Sequence, residues 1–400
     1  MSLLATKLSR IKPSSTLAVT KKATELRQAG YDIISLGAGE PDFDTPDNIK
    51  EAAIEAIRKG QTKYTIVDGT LELKKAICNK FKRENNIDYN VDNISVGNGA
   101  KQVLYNALMA TLDPEDEVII PAPYWVSYPD IVELAGGGVV TVKGNIENDF
   151  KIDATILERV INNNTKWIIL NSPSNPTGSA YAYAELKEIT DLLLKYPKIY
   201  ILSDDIYEHI IYDDFKFVTP VQVEPKLADR VLTVNGVSKS YSMTGWRIGY
   251  AGGPESLIKA MATIQSQSTS NPCSISQAAA IEALNGPQDF IKSNAALFQR
   301  RRDLAIDLIN SIELLSCTRP IGAFYIFINC SKMFGKNTPD EKTLRNSNDV
   351  ASYFLTEAKV AVVQGTAFGM DGFIRISYAI SEATIEEAFK RIKEACDKLK

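Results

Sequence analysis

Short apolar runs recur along the first two thirds of the chain, at 94–96, 117–121, 139–142, 167–170, 200–203 and 231–234, each leaving into a turn-forming or polar stretch. Amphipathic segments lie between them, so the pattern predicts buried strands of a mostly parallel sheet covered by helices, an α/β fold. One more strand is read at 247–253. Helical spacing is read at 17–29, closed by Gly30, at 46–59, at 102–112, near 155–161 and, longest, at about 287–312. The last hundred residues change texture. Strand-like segments at 322–328, 360–364 and 373–378 alternate with a polar loop at 336–348, a helix near 349–359 and a final helix. The expected organisation is a large domain over 46–290 and a smaller α+β domain, built from 1–45 and 291–400, that closes over it. No internal repeat or low-complexity segment interrupts this pattern.

Composition narrows the function classes. With 400 residues, 44% of them hydrophobic, the chain can bury a core of this size. A net charge of -4 with no basic run interleaved with aromatics leaves no electrostatic footprint for nucleic acid. No apolar run approaches the ~18 residues that span a bilayer, and the basic start, 1–12, has too short an apolar centre for a secretory signal. The five cysteines, odd in number and never spaced Cys-x-x-Cys, read as reduced thiols of a cytoplasmic protein. His209 is the only histidine, which excludes a multi-histidine metal site; no metal is expected.

The candidate chemistry gathers where runs end. After 231–234 comes Gly236-Val237-Ser238-Lys239-Ser240-Tyr241-Ser242-Met243-Thr244-Gly245-Trp246-Arg247-Ile248-Gly249. Lys239 is delivered beyond a strand end, small neighbours leave room around its amine, and Arg247 adds a permanent positive charge. A nucleophilic lysine must lose its proton, and burial or a neighbouring cation lowers the pKa far enough. Arg247 could serve there, or grip a phosphate. Asn98-Gly99-Ala100-Lys101 forms a turn opening a helix after a strand, which presents amides and a partial positive charge to an anion. Asp204 and Asp205 point to opposite faces of their strand, so only one can meet a ligand. Arg375, inside an apolar strand, needs an anion: a substrate carboxylate or an internal acid would serve.

The Lys239 motif resembles the signature around the cofactor lysine of class I aminotransferases, and the likeness extends in order through Gly39, Tyr64, Trp125, Asn175, Asp204, Tyr207, Arg247 and Arg375 over nearly the whole chain. The resemblance implies a fold type I transferase with pyridoxal 5'-phosphate joined to the Lys239 amine. Its phosphate would be held by Gly99, Ala100, Lys101, Ser238 and Arg247, and by Tyr64 from across a homodimer interface. Trp125 would stack on the ring, Asp204 would keep the ring nitrogen protonated, and Tyr207 and Asn175 would bind the phenolic oxygen. Gly39, Asn175 and Arg375 would take the substrate α-carboxylate, with Trp125 beside them. The Asn-Pro turn at Pro176 also suggests a cis peptide. Two departures stand out: Ala100 where a second glycine is usual, and Gln364 where many relatives have proline.

The chain is most similar to the bacterial aspartate aminotransferases, some of which also take prephenate. That implies ping-pong exchange between L-aspartate and 2-oxoglutarate, giving oxaloacetate and L-glutamate. No clean counterpart of the distal-carboxylate arginine of animal-type enzymes is present; Lys12 or Lys101 is the candidate replacement. An aromatic or broad-specificity aminotransferase, a carbon–sulfur lyase and a non-catalytic ligand sensor are the alternatives. A dehydrogenase is disfavoured because residues 98–101 are not a Gly-x-Gly-x-x-Gly turn.

Overall fold

The computed structural model of the chain describes residues 3–11, 13 and 15–400. Seven strands form one sheet in the spatial order Ile94–Gly97, Gly249–Gly252, Val231–Gly236, Tyr200–Asp204, Thr165–Asn171, Glu117–Ala122, Gly138–Lys143. All run in one direction except Gly249–Gly252, which is antiparallel to both neighbours. Successive strand residues face opposite sides. Val118, Ile120, Trp167, Ile169, Leu202, Leu232 and Val234 therefore meet helices Ala100–Thr111, Ser127–Ala135 and Glu255–Ser266 on one face. Ile119, Ile168, Leu170, Ile201 and Val231 meet Leu71–Asn85, Tyr183–Leu194 and Ser274–Asn285 on the other. With both faces covered, both alternating sets must be apolar, and each strand reads as a continuous run.

This topology assembles one working edge. The carboxyl ends of Ile94–Gly97, Glu117–Ala122, Thr165–Asn171, Tyr200–Asp204 and Val231–Gly236 all open there, where open α/β sheets bind ligands. The single antiparallel strand begins where the others end, so Arg247, two residues before Gly249, arrives at the same edge. The expected strand from residue 247 is accordingly shorter: Arg247 follows the turn Thr244–Trp246 with a left-handed backbone, φ 57°.

A second, antiparallel sheet has the order Val363–Gln364, Phe373–Ser377, Tyr325–Asn329, Ser316–Cys317, and a parallel pair of Ile34–Ser35 with Val360–Ala361 ties the amino-terminal segment to it. Ile326 and Ile328 lie opposite Ile376 and Ile374 in a core shared with helices Asp289–Asn310 and Glu382–Asp397. The two-residue alternation then assigns Tyr325, Phe327 and Arg375 to the opposite face. The run at 360–364 divides into two strands because its halves have different partners, Ile34–Ser35 and Phe373–Ser377. Gln364 pairs with Ile374 and leads into the turn Gly365–Phe368, so strand pairing secures the place where relatives carry proline.

In Asp289–Asn310 the buried positions Phe298, Arg301, Arg302, Ala305 and Ile309 recur at helical spacing. Two of them are charged, and both are paired: Arg301 grips Asp42 through two bonds of 2.7 and 2.9 Å, and Arg302 bonds Asp213 and the Pro320 carbonyl. The first pair fastens the segment after Gly39 to the helix. Among the described residues, no helix is long and apolar enough to cross a membrane.

Gly249 sits against the turn that opens Ala100–Thr111; a Cβ there would lie 2.0 Å from the Ala100 nitrogen. Backbone cannot give way as a side-chain tip does, so Gly249→Ala should cost about 1–3 kcal/mol, read as a lowered Tm in thermal unfolding. A Tm within a degree of wild type would show that the turn yields freely.

Candidate active site

A cavity of about 260 Å³ lies on the working edge of the large sheet, between it and the second sheet's Tyr325 and Arg375. Lys101, Lys239, Arg247 and Arg375 line it; among the described lining residues Asp204 is the one acid. Gly39, Ala100, Trp125, Asn175, Tyr207 and Ser238 complete the set of residues the sequence singled out there.

Lys239 is three residues beyond Val231–Gly236, and its Nζ donates to the Gly39 carbonyl at 2.5 Å. Burial pushes its pKa down to about 8; Arg247 and Arg375 act in the same sense, while Glu40 and Asp204 oppose them. The strand end behind it rests on a polar network. Asn235 donates to Glu208 at 2.7 Å, Lys80 pairs with Glu208 and Glu84, and His209 bridges Glu84 at 2.9 Å and the hydroxyl of Ser240 at 3.2 Å. Glu84, Glu208 and His209 lie close enough together to hold a metal ion. Lys80 pairs with both carboxylates and Arg83 also pairs with Glu84, so two cations already face these two acids.

Asp204 ends its strand, buried. Oδ2 accepts from the Tyr128 hydroxyl at 2.7 Å, whereas Oδ1 has no hydrogen-bond partner. Burial raises its pKa to about 6, against the pull of Tyr128, the Ile206 amide and Lys239. Asp205 points away from the cavity and bonds Ser203, as the strand alternation requires. Tyr207, also buried, shares a 2.9 Å hydrogen bond with Tyr325.

Arg375 lines the cavity. It donates to the Asn175 side-chain oxygen at 3.1 Å and the Gly37 carbonyl at 2.6 Å, stacks 4.5 Å from the Tyr325 ring, and keeps Nε without a partner. Among the described residues no acidic side chain pairs with it. The Asn175 turn is closed by the Asn171 side chain and by backbone bonds between residues 174, 178 and 179. The cis peptide expected before Pro176 is absent; the cis bonds lie before Pro123 and Pro173.

At the phosphate-type turn, Gly99 has φ 85°, and a Cβ on it would fall 2.1 Å from Arg247 Nη2, so glycine is required there. Ala100 begins the helix with no positive φ, which is why alanine is accommodated where a second glycine is usual. Gly99 offers no side chain to cap that helix. Lys101 lies 4.7 Å over the Trp125 ring, its pKa lowered by desolvation and by Arg247. Tyr64 is 92% exposed and does not line the cavity of its own chain. Lys12 lies outside the described residues.

Sequence reasoning missed Tyr128, Tyr325, Asn171 and Thr244 as site residues, and also Thr16 and Leu17 from helix Ser15–Gln28. Tyr128 carried a usable signal, one helical turn after Trp125. Tyr325 carried none, because its role depends on strand register.

A half-buried lysine amine, a buried carboxylate and a buried guanidinium around one cavity at the ends of an α/β sheet are the site of a lysine-centred enzyme. The chain belongs to the aminotransferase class I and II family, whose model matches residues 31–392. It is 62% identical over 396 residues to the probable aspartate/prephenate aminotransferase of Rickettsia felis, covering 99% of this chain and 97% of the relative. It superposes on the crystal structure of the Rhizobium meliloti aspartate aminotransferase with TM-score 0.97 at 54% identity, covering all of both chains. Against the Thermus thermophilus aspartate aminotransferase with maleate the TM-score is 0.93 at 41% identity, covering 99% of this chain and all of that one.

Because burial disfavours the ammonium, the Lys239 amine is half unprotonated near pH 8, about two units below an ordinary lysine. In cofactor-free protein, reductive labelling of Lys239 by a small aldehyde, followed by peptide mass mapping, should rise through pH 8 and level off while surface lysines are still gaining. A midpoint at the ordinary lysine value would remove the desolvation argument.

Proposed function

We propose that the protein is an aspartate aminotransferase that holds pyridoxal 5'-phosphate on Lys239 and exchanges amino groups between L-aspartate and 2-oxoglutarate, giving oxaloacetate and L-glutamate, with prephenate as a further acceptor. One observation carries this reading: Lys239, Asp204 and Arg375, far apart in the chain, line a single cavity. The residues fit the cofactor. The partnerless Oδ1 of Asp204 suits a protonated ring nitrogen, and Ala100 and Lys101 of the turn after Gly99, with Ser238 and Arg247 beside them, suit a phosphate.

Bound there, pyridoxal phosphate would supply a reactive aldehyde and an electron-withdrawing ring. Asp204 would hold the proton on the ring nitrogen, Trp125 would cover the ring face, and Tyr207 and Asn175 would bond the phenolic oxygen. Arg375, Asn175 and the Gly39 amide hold the substrate α-carboxylate and so orient the bond that must break. Once the substrate amine has replaced it on the cofactor, the freed Lys239 Nζ would take the α-proton and give it back, a general base and then a general acid whose lowered pKa suits neutral operation. The same groups run the second half-reaction with an oxo acid, giving ping-pong kinetics. For the distal carboxylate we assign Lys101, with Lys12 as the second candidate. Maleate is a dicarboxylate, and the structurally similar Thermus enzyme is named with it. The reading also places the protein in the cytoplasm as a homodimer, with Tyr64 reaching the partner's phosphate site and the 1–45 and 291–400 segments closing over 46–290.

Steady-state assays should give the highest kcat/KM for aspartate with 2-oxoglutarate, against phenylalanine, alanine and cystathionine; a preference for cystathionine would make the protein a lyase instead. Lys239→Ala should lower turnover by at least ~10³-fold and leave no cofactor attached after borohydride treatment. Attachment at another amine would displace Lys239 from its role. Lys101→Ala should raise KM for aspartate about tenfold, the loss of one charge-assisted contact, with KM for alanine unchanged. An equal effect on both amino acids would return Lys101 to the phosphate alone.

A further inference from the structure

We propose that Tyr325 is a positioning residue that acts through Tyr207, setting how strongly the Tyr207 hydroxyl donates into the cavity; the inference rests on the site reading above. Tyr325–Asn329 runs antiparallel to Phe373–Ser377 with Phe327 opposite Arg375, and strand alternation brings Tyr325 and Arg375 to the same face. The Arg375 guanidinium lies 4.5 Å over the Tyr325 ring, which holds that ring in place. Its hydroxyl is 2.9 Å from that of Tyr207, the two rings stand at 85°, and both side chains are buried. Gly39 leaves the necessary space: a Cβ there would come within 3.0 Å of the Tyr325 oxygen.

A phenol has one proton to donate. When Tyr207 directs its own proton to an acceptor in the cavity, the facing hydroxyl has to donate to the Tyr207 oxygen, and the two bonds form a chain running one way. Bonds in such a chain polarise each other, by roughly 10–30% each. Tyr325 thereby makes Tyr207 a stronger donor and favours the ionised form of the cofactor's phenolic oxygen. The charged and titratable groups that face this pair are Arg375, Asp204, Tyr128 and Lys239. The Tyr325→Phe substitution keeps the ring under Arg375 and the pH response of those groups, and removes the one donor.

The test is a pH titration of the cofactor's visible absorption band in the loaded wild-type enzyme, in Tyr325→Phe, in Tyr207→Phe and in the double variant. Tyr325→Phe should move the midpoint up by a few tenths of a pH unit, a fraction of the effect of a whole hydrogen bond. Tyr207→Phe should move it further, and the double variant should match Tyr207→Phe alone. A midpoint unmoved by Tyr325→Phe while Tyr207→Phe shifts it would overturn this inference and leave the site reading standing. Additive shifts in the double variant would overturn the path through Tyr207. No shift from Tyr207→Phe would overturn the site reading itself.

Discussion

The rest of the structure depends on partly desolvating an ammonium group next to other cations. Lys239 has a carbonyl for its hydrogen-bond partner and no carboxylate within ion-pair distance among the described residues, while Arg247 and Arg375 face the same cavity. A charge so placed is costly, and the protein answers by letting the amine give up its proton more easily. The cost is the chemistry: a lysine that is partly neutral near physiological pH can attack a carbonyl and carry protons. The same accumulation of positive charge creates an anion site, for a phosphate at one end and a carboxylate at the other.

Holding that arrangement requires rigid support from behind. Val231–Gly236 is buried along its whole length, and its last side chain, Asn235, is tied into the Lys80–Glu208–Glu84–His209 network. With Arg83 also on Glu84, two cations face the two carboxylates, and the network does not compete for the cavity's ligands. On the opposite wall, Arg301 clamps Asp42 and thereby the segment carrying Gly39, whose carbonyl receives the lysine. Buried pairs of this kind contribute little net stability; their value here is in fixing two backbone segments that approach the same nitrogen from different sheets.

Much of this was legible in the chain. Apolar runs of strand length marked the parallel sheet because strands covered on both faces have no polar side to show, and the small residues around Lys239 marked a strand exit. Asp204 over Asp205, Asn175 and Arg375 were singled out by the resemblance to class I aminotransferases; the residues alone said only that one of two adjacent acids could meet a ligand and that an arginine in an apolar strand needs an anion. The boundaries that failed did so for tertiary reasons. Arg247 was read into a strand that begins two residues later, and the 360–364 run was read as one strand although its halves answer to different partners.

By itself the sequence determined the alternation of buried runs and amphipathic helices, the place of the lysine at a strand end, and the presence of compensating groups of the right chemical type. It could do so because burial and charge are properties of residue types in a local pattern. Only the tertiary structure decided that Tyr128 caps Asp204, that Tyr325 meets both Tyr207 and Arg375, and that Arg247 closes over Gly99. Those contacts join residues from different elements, and strand register and crossover topology, which no local pattern encodes, set which of them touch.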